Sequence, residues 1–194
     1  MAVTLTALTQ NLPLTLRQGN LAQTVTELTD DSRQVQPGML FIARRGGEVD
    51  GHAFINDALQ RGAAAVLTEP LTQPPAALTQ GDTPWLVGES VDQALCGQLA
   101  ERFFGRPSEK LRLVGVTGTN GKTTTAFVIQ HLLRTADIAA GLIGTVVVDD
   151  GLDRSEAGLT TPGAIHFCRL LARMVAYGCQ AAVCEVSSHA LQQR

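Results

Sequence analysis

"VGVTGTNGKTTT", residues 114–125, is the stretch on which the reading of the fold turns. A phosphate-binding loop is usually spaced G-x-x-x-x-G-K-[ST], which would put a glycine five positions before Gly121. That position is Val116, and Gly115 stands one place too early. The shorter core from Gly118 to Thr123 still carries every group such a site requires. Gly118 and Gly121, with Thr119 and Asn120 between them, allow positive φ and the approach of phosphate oxygens to bare backbone N–H groups. Lys122 offers a compact positive charge to the β/γ-phosphates, and Thr123 offers a hydroxyl to Mg²⁺. The plainer alternative is a glycine-rich turn that holds no ligand. The lysine and hydroxyl standing where a phosphate needs them favour the first reading.

The flanks agree with it. Leu111 to Val116 is a short apolar, β-branched run that reads as a buried parallel strand. The residues after the loop read as a helix, with Phe127, Ile129, Leu132 and Leu133 available for its inner face. Strand, glycine loop and helix together aim a helix N-terminus at an anion.

A chain of 194 residues exceeds the usual single domain, and 44% hydrophobic with 17% charged residues suits a soluble globular protein with a real core. A net charge of −3 and 4% aromatics provide neither a basic face nor a stacking surface, so nucleic acid is not expected as a partner. No stretch is apolar enough to span a membrane and the N-terminus lacks the features of a signal peptide, so a cytoplasmic location is expected. Cys96, Cys168, Cys179 and Cys184 form no C-x-x-C pair and read as buried or free thiols rather than a zinc site.

Upstream of the loop, the pattern is weak as far as Leu28. Pro37-Gly38 then makes a turn into a strand over 39–43. Phe54, Ile55, Ala58 and Leu59 fall at helical spacing, Gly62 stops them, and a strand follows over 64–67, which makes a parallel strand–helix–strand unit. The proline-rich stretch 69–84 reads as an exposed loop, residues 85–88 as a strand, and Ser90 with Gln93 as a capping box for a helix carrying Leu95, Leu99 and Phe103. Gly105 and Pro107 end that helix, so the domains are expected at 1–106 and 107–194. Beyond the loop helix, residues 138–148 read as a buried strand region and Asp149 to Gly151 as a turn. Thr161 reads as N-cap, with Pro162 first, of a helix closed by Gly178. Residues 181–186 form the last strand. The expected fold class is α/β: a small N-terminal α/β domain, then the first part of a mainly parallel, phosphate-loop-type sheet domain, as in the front part of a longer protein.

Glu185 lies near the carboxyl end of that last strand, where ligands of parallel sheets bind. From there it can complete the Mg²⁺ shell begun by Thr123; a solvated strand-end carboxylate is the plainer reading. Three polar clusters, at 31–33, 160–162 and 187–193, can be explained singly as a turn, a helix N-cap and a strand-to-helix loop. Spacing alone does not choose between these roles and binding.

Taken together, "DSRQVQPGMLFIARRGGEVDGHAFINDALQRGAAAVL", "VGVTGTNGKTTT", "TTP" and "EVSSHAL" resemble the Mur ligases, which build the peptide stem of bacterial cell-wall precursors. "TTP" with "EVSSHAL" is most similar to the member that adds the third amino acid. The resemblance implies ATP-dependent amide formation that joins diaminopimelate or lysine to UDP-N-acetylmuramoyl-L-alanyl-D-glutamate, in a protein that is a monomer. It implies Gly118, Thr119, Asn120, Gly121, Lys122, Thr123 and Thr124 as the ATP loop, Lys122 and Glu185 as catalytic residues, and Thr123 with Glu185 at Mg²⁺. It implies Ser32 at the uridine nucleotide and Thr160, Thr161, Ser187 and Gln193 on the muramoyl peptide, with His189 structural. Leu159 stands where the family often has asparagine, Arg194 falls one place short of the family's substrate arginine, and the later metal histidine and modified lysine have no counterpart. On this reading the 194 residues alone do not ligate. A non-catalytic nucleotide-binding module and the dipeptide-adding ligase are the competing readings.

Overall fold

The computed structural model describes residues 2–45, 50–188 and 190. Contacts divide the chain into two compact units, Met1–Phe103 and Phe104–Arg194.

In the first unit the elements are β1 (Val3–Thr4), α1 (Leu5–Thr9), β2 (Leu14–Gln18), β3 (Thr24–Val25), β4 (Glu27–Thr29), β5 (Met39–Ala43), α2 (Ile55–Gln60), β6 (Ala65–Thr68), α3 (Ala76–Gln80), β7 (Trp85–Gly88) and α4 (Gln93–Phe103). The main sheet runs β2-β7-β6-β5-β4, parallel except for β2 at one edge. Alternation along the strands decides which residues meet which helices. Phe41, Ala43 and Val66 join Ile55, Ala58 and Leu78 in one buried cluster, while Leu40, Ile42 and Leu67, also buried, point to the other face. The parallel β5–α2–β6 unit expected from sequence is present.

Three expectations change here. The stretch 69–84 is not all exposed loop, because α3 lies within it and Leu78 is fully buried. Two prolines hide this helix by breaking the pattern just before it. The cap of α4 is Asp92, not Ser90: its carboxylate accepts the Leu95 N–H at 2.8 Å. The weak pattern before Leu28 conceals elements too short for periodicity to register.

The second unit holds β8 (Arg112–Val116), α5 (Lys122–Thr135), β9 (Ala140–Ile143), β10 (Val147–Asp149), β11 (Arg154–Glu156), α6 (Ala164–Ala176) and β12 (Ala181–Glu185). Its sheet runs β11-β10-β9-β12-β8, with β9, β12 and β8 parallel and β10 and β11 an antiparallel extension. Helix α5 covers one face through Ala126, Leu142 and Val183, and α6 covers the other through Ile143, Leu171, Met174, Ala182 and Cys184. What reads as a single apolar strand region over 138–148 is two strands that reverse at Gly144–Val146.

The strand before the loop also differs from expectation. Among the described residues β8 is the sheet edge, and Arg112, Leu113 and Gly115 are exposed rather than buried. On α5, Leu132 faces out at 61% exposure, and the buried inner position is instead Gln130. Gln130 Nε2 donates to Ala140 O at 3.1 Å and to Asp149 Oδ2 at 3.2 Å, so the helix underside is polar where it crosses the start of β9. The N-cap of α6 is Gly163 rather than Thr161, whose hydroxyl is engaged elsewhere. All four cysteines are buried and none is in a disulfide. Among the described residues no helix is long and apolar enough to cross a membrane.

Candidate functional site

Residues 117–121 join the carboxyl end of β8 to the first turn of α5. Gly118 has φ +145° and Gly121 φ +78°, backbone that side chains with a Cβ rarely adopt, and Gly121 is the N-cap of α5 with no side chain over it. The first N–H groups of a helix have no partner within it, so those of Lys122, Thr123 and Thr124 are suited to an anion. Lys122 Nζ donates to Gly118 O at 2.6 Å and to Thr119 O at 3.4 Å, which places the ammonium over the loop.

Glu185, last residue of β12, stands opposite Val116 in register and is 1% exposed. A buried carboxylate is costly unless its oxygens are bonded. Here Thr123 Oγ1 donates to Oε2 at 2.9 Å, the Thr145 N–H donates to Oε1 at 2.9 Å, and Thr145 Oγ1 lies 3.0 Å from Oε2. A side chain at Gly144 would collide with Oε1, so glycine there gives the carboxylate its room. The second polar segment closes over the same strand end. Thr161 Oγ1 donates to Glu185 O at 3.0 Å and accepts the Ser187 N–H at 3.1 Å, and Thr160 Oγ1 lies 3.1 Å from Thr145 Oγ1. Ser187 Oγ accepts the Ala190 N–H at 3.1 Å.

Thus Gly118–Thr124, Thr160, Thr161, Glu185 and Ser187 gather at one end of the parallel strands. Gln193, like His189 and Arg194, lies outside the described residues. Thr145 and Gly144 are not expected there from sequence, because only the fold brings them to Glu185 across forty residues. Among the described residues the donors here are hydroxyl and carboxylate oxygens, which suit a hard cation that keeps waters and phosphate oxygens as its other ligands, so the donor set fits Mg²⁺.

Ser32 sits in the first unit, buried in a 3₁₀ turn, at a cavity of about 550 Å³ lined by Asp30, Ser32, Arg33, Phe41, Arg44 and Phe54. Phe54 is 40% exposed and offers a ring face, and the two guanidiniums are each paired with an aspartate of the same lining, Arg33 with Asp31 at 2.8 Å and Arg44 with Asp30 at 3.0 Å. Neither Phe54 nor Arg44 is expected there from sequence. The Arg33 side chain, bonded to Asp31 at 2.9 and 2.8 Å, is the main force lowering the Asp31 carboxyl to about 2, against the opposing effect of burial.

Two family models match: Mur ligase family, catalytic domain, over residues 24–102, and Mur ligase middle domain over residues 116–194. The chain belongs to the Mur ligase family. A UDP-N-acetylmuramoyl-L-alanyl-D-glutamate–2,6-diaminopimelate ligase of Chlorobium phaeobacteroides is 47% identical over 167 residues, 86% of this chain and 32% of that protein. The chain spans about a third of the length of the curated Mur ligases it matches. A solved ligase of the same name superimposes on all of this chain and 37% of its own, with a TM-score of 0.74 at 24% identity. The MurF ligase from Thermotoga maritima, in complex with ADP, superimposes on 84% of this chain and 32% of its own, with a TM-score of 0.54 at 24% identity. The α/β architecture expected from sequence is that of the Mur ligases, with a sheet of mixed rather than mainly parallel character in the second unit.

Proposed function

We propose that these residues are the nucleotide-gripping part of an ATP-dependent ligase that adds a third amino acid to UDP-N-acetylmuramoyl-L-alanyl-D-glutamate. The names of the similar curated ligases favour diaminopimelate as that amino acid. One observation carries the reading: Thr123, in the first turn of α5, donates to the buried Glu185 at the end of the neighbouring strand, directly beside a lysine-bearing glycine loop.

The backbone N–H groups of residues 118–124 bind the ATP phosphates, and Lys122 neutralises charge on the transferring phosphoryl group. Thr123 and Glu185 hold Mg²⁺, which when bound supplies further charge neutralisation. The substrate carboxylate attacks the γ-phosphorus and releases ADP. The amine then attacks the acyl phosphate, loses its proton and expels phosphate, leaving the amide. No side chain serves as nucleophile.

Thr160, Thr161 and Ser187 border the muramoyl-peptide path, with Gln193 expected beside them. Ser32 and its cavity in the first unit take the uridine nucleotide. The whole enzyme acts as a monomer in the cytoplasm, without nucleic acid or membrane. The 194 residues bind nucleotide but do not ligate.

Fluorescence titration of the 194-residue chain with a methylanthraniloyl-ADP tests the reading. Saturable binding that tightens with Mg²⁺ and is weakened about ten- to a hundredfold in Lys122→Ala is expected. Binding that is indifferent to both the cation and Lys122 would rule it out.

A further inference from the structure

Thr145 belongs to none of the segments that carry the phosphate loop, the carboxylate or the "TTP" stretch, yet it touches two of them. It lies between β9 and β10, and both its polar groups meet Glu185: the N–H at Oε1 and the hydroxyl at Oε2, 2.9 and 3.0 Å. The same hydroxyl is 3.1 Å from Thr160 Oγ1. A carboxylate only accepts, so the Thr145 proton goes to Glu185, and the Thr145 oxygen is left to accept the proton of Thr160. The direction of the chain is therefore set: Thr160 donates to Thr145, and Thr145 donates to Glu185. Two points of attachment from one residue stop the carboxylate rotating about its last bond, while Gly144 admits it without a clash.

We infer that Thr145 is a positioning residue for the phosphate and metal site. It aims Oε2 of Glu185 at Thr123 and ties that aim to the segment carrying Thr160. Thr145 would touch neither nucleotide nor metal itself, and its effect passes wholly through Glu185. The inference rests on the proposed nucleotide role of Thr123 and Glu185, and it adds a residue that the loop motif does not contain.

The test compares wild-type chain with Thr145→Val and Thr145→Ser, each titrated with methylanthraniloyl-ADP in Mn²⁺ and in EDTA, with Mn²⁺ binding followed separately by electron paramagnetic resonance. Valine keeps the backbone N–H and the side-chain shape but deletes the hydroxyl. It is expected to weaken metal-dependent nucleotide binding about tenfold, the usual scale for losing a hydrogen bond to a charged group, and to leave binding in EDTA within about twofold. Serine, which keeps both bonds, is expected to match wild type. Equal losses with and without metal would reveal a merely structural residue and overturn the inference, as would a valine variant that matches wild type. Serine conserves the fold and serves if valine does not fold: a serine variant with wild-type melting that has lost the metal-dependent component also overturns it. Wild-type chain without any metal-dependent binding would overturn the proposed function itself and this inference with it.

Discussion

Lys122 and Thr161 show how differently two residues from recognisable motifs are used. The Lys122 ammonium already sits over the loop on Gly118 O, so its removal subtracts charge from the place where phosphate oxygens would lie. Lys122→Ala should weaken nucleotide binding by about ten- to a hundredfold while leaving thermal stability nearly unchanged, measurable by titration and melting on the same sample. Thr161 points the other way. Its hydroxyl is occupied by Glu185 O and the Ser187 N–H, so Thr161→Val should lower stability by about 1–2 kcal/mol in urea unfolding. Lys122, Thr123 and Glu185, which the structure brings together, are legible as candidates because glycine spacing, a lysine and a strand-end acid each have a local signature. Thr145 is not, since its meaning lies in a bond across forty residues of sequence. Thr161 reads as a helix cap, because a threonine before proline has the same signature whether it caps a helix or bonds a neighbouring strand.

At the level of elements, the antiparallel pair β10–β11 is joined through two buried carboxylates, Asp149 and Asp150, of which Asp149 carries the arginine pairs from α5 and β11. Burial alone would raise the Asp149 carboxyl, but Arg154 at 2.7 Å, Arg134 at 3.0 Å and the Gly151 N–H together hold it below the usual carboxylate range. A carboxyl depressed in the folded state stabilises fully above its unfolded value of about 4, and that contribution drains away as pH falls through the lower folded value. Urea midpoints taken from pH 6 down to pH 3 should therefore fall for the wild-type chain and fall less for Asp149→Asn. At pH 7 that variant should already be about 2 kcal/mol less stable, because it leaves two partly exposed guanidiniums short of a partner. The strands flanking the loop and the α2 and α5 helices are legible from periodicity. The polar underside of α5 is not, because Gln130 and Arg134 fall where an amphipathic pattern asks for apolar residues, and only the facing hairpin explains them. The short α3 escapes notice because five residues are too few to establish a period.

Across the whole molecule, each unit has its own sheet and its own buried clusters. Among the described residues the second leaves β8 as an edge, with Leu113, Val128 and Leu132 exposed at 44%, 51% and 61%. An open strand edge beside exposed apolar side chains invites pairing with another chain. The 194-residue chain is therefore expected to self-associate as its concentration rises, seen as increasing mass in light scattering, and Leu113→Lys should suppress this; a constant monomer mass in both would contradict it. The helix break at Gly105 and Pro107 falls just beyond the division between the two compact units at Phe103 and Phe104; the exposure of β8 has no such signal, since an apolar strand looks the same in the middle of a sheet as at its border. That border has a consequence for the loop. Val116, the last residue of β8, precedes Gly118 by only two positions, so any strand that docks alongside would brace the hinge from which the phosphate cradle springs. Completing the sheet and stiffening the nucleotide grip would then be one mechanical event.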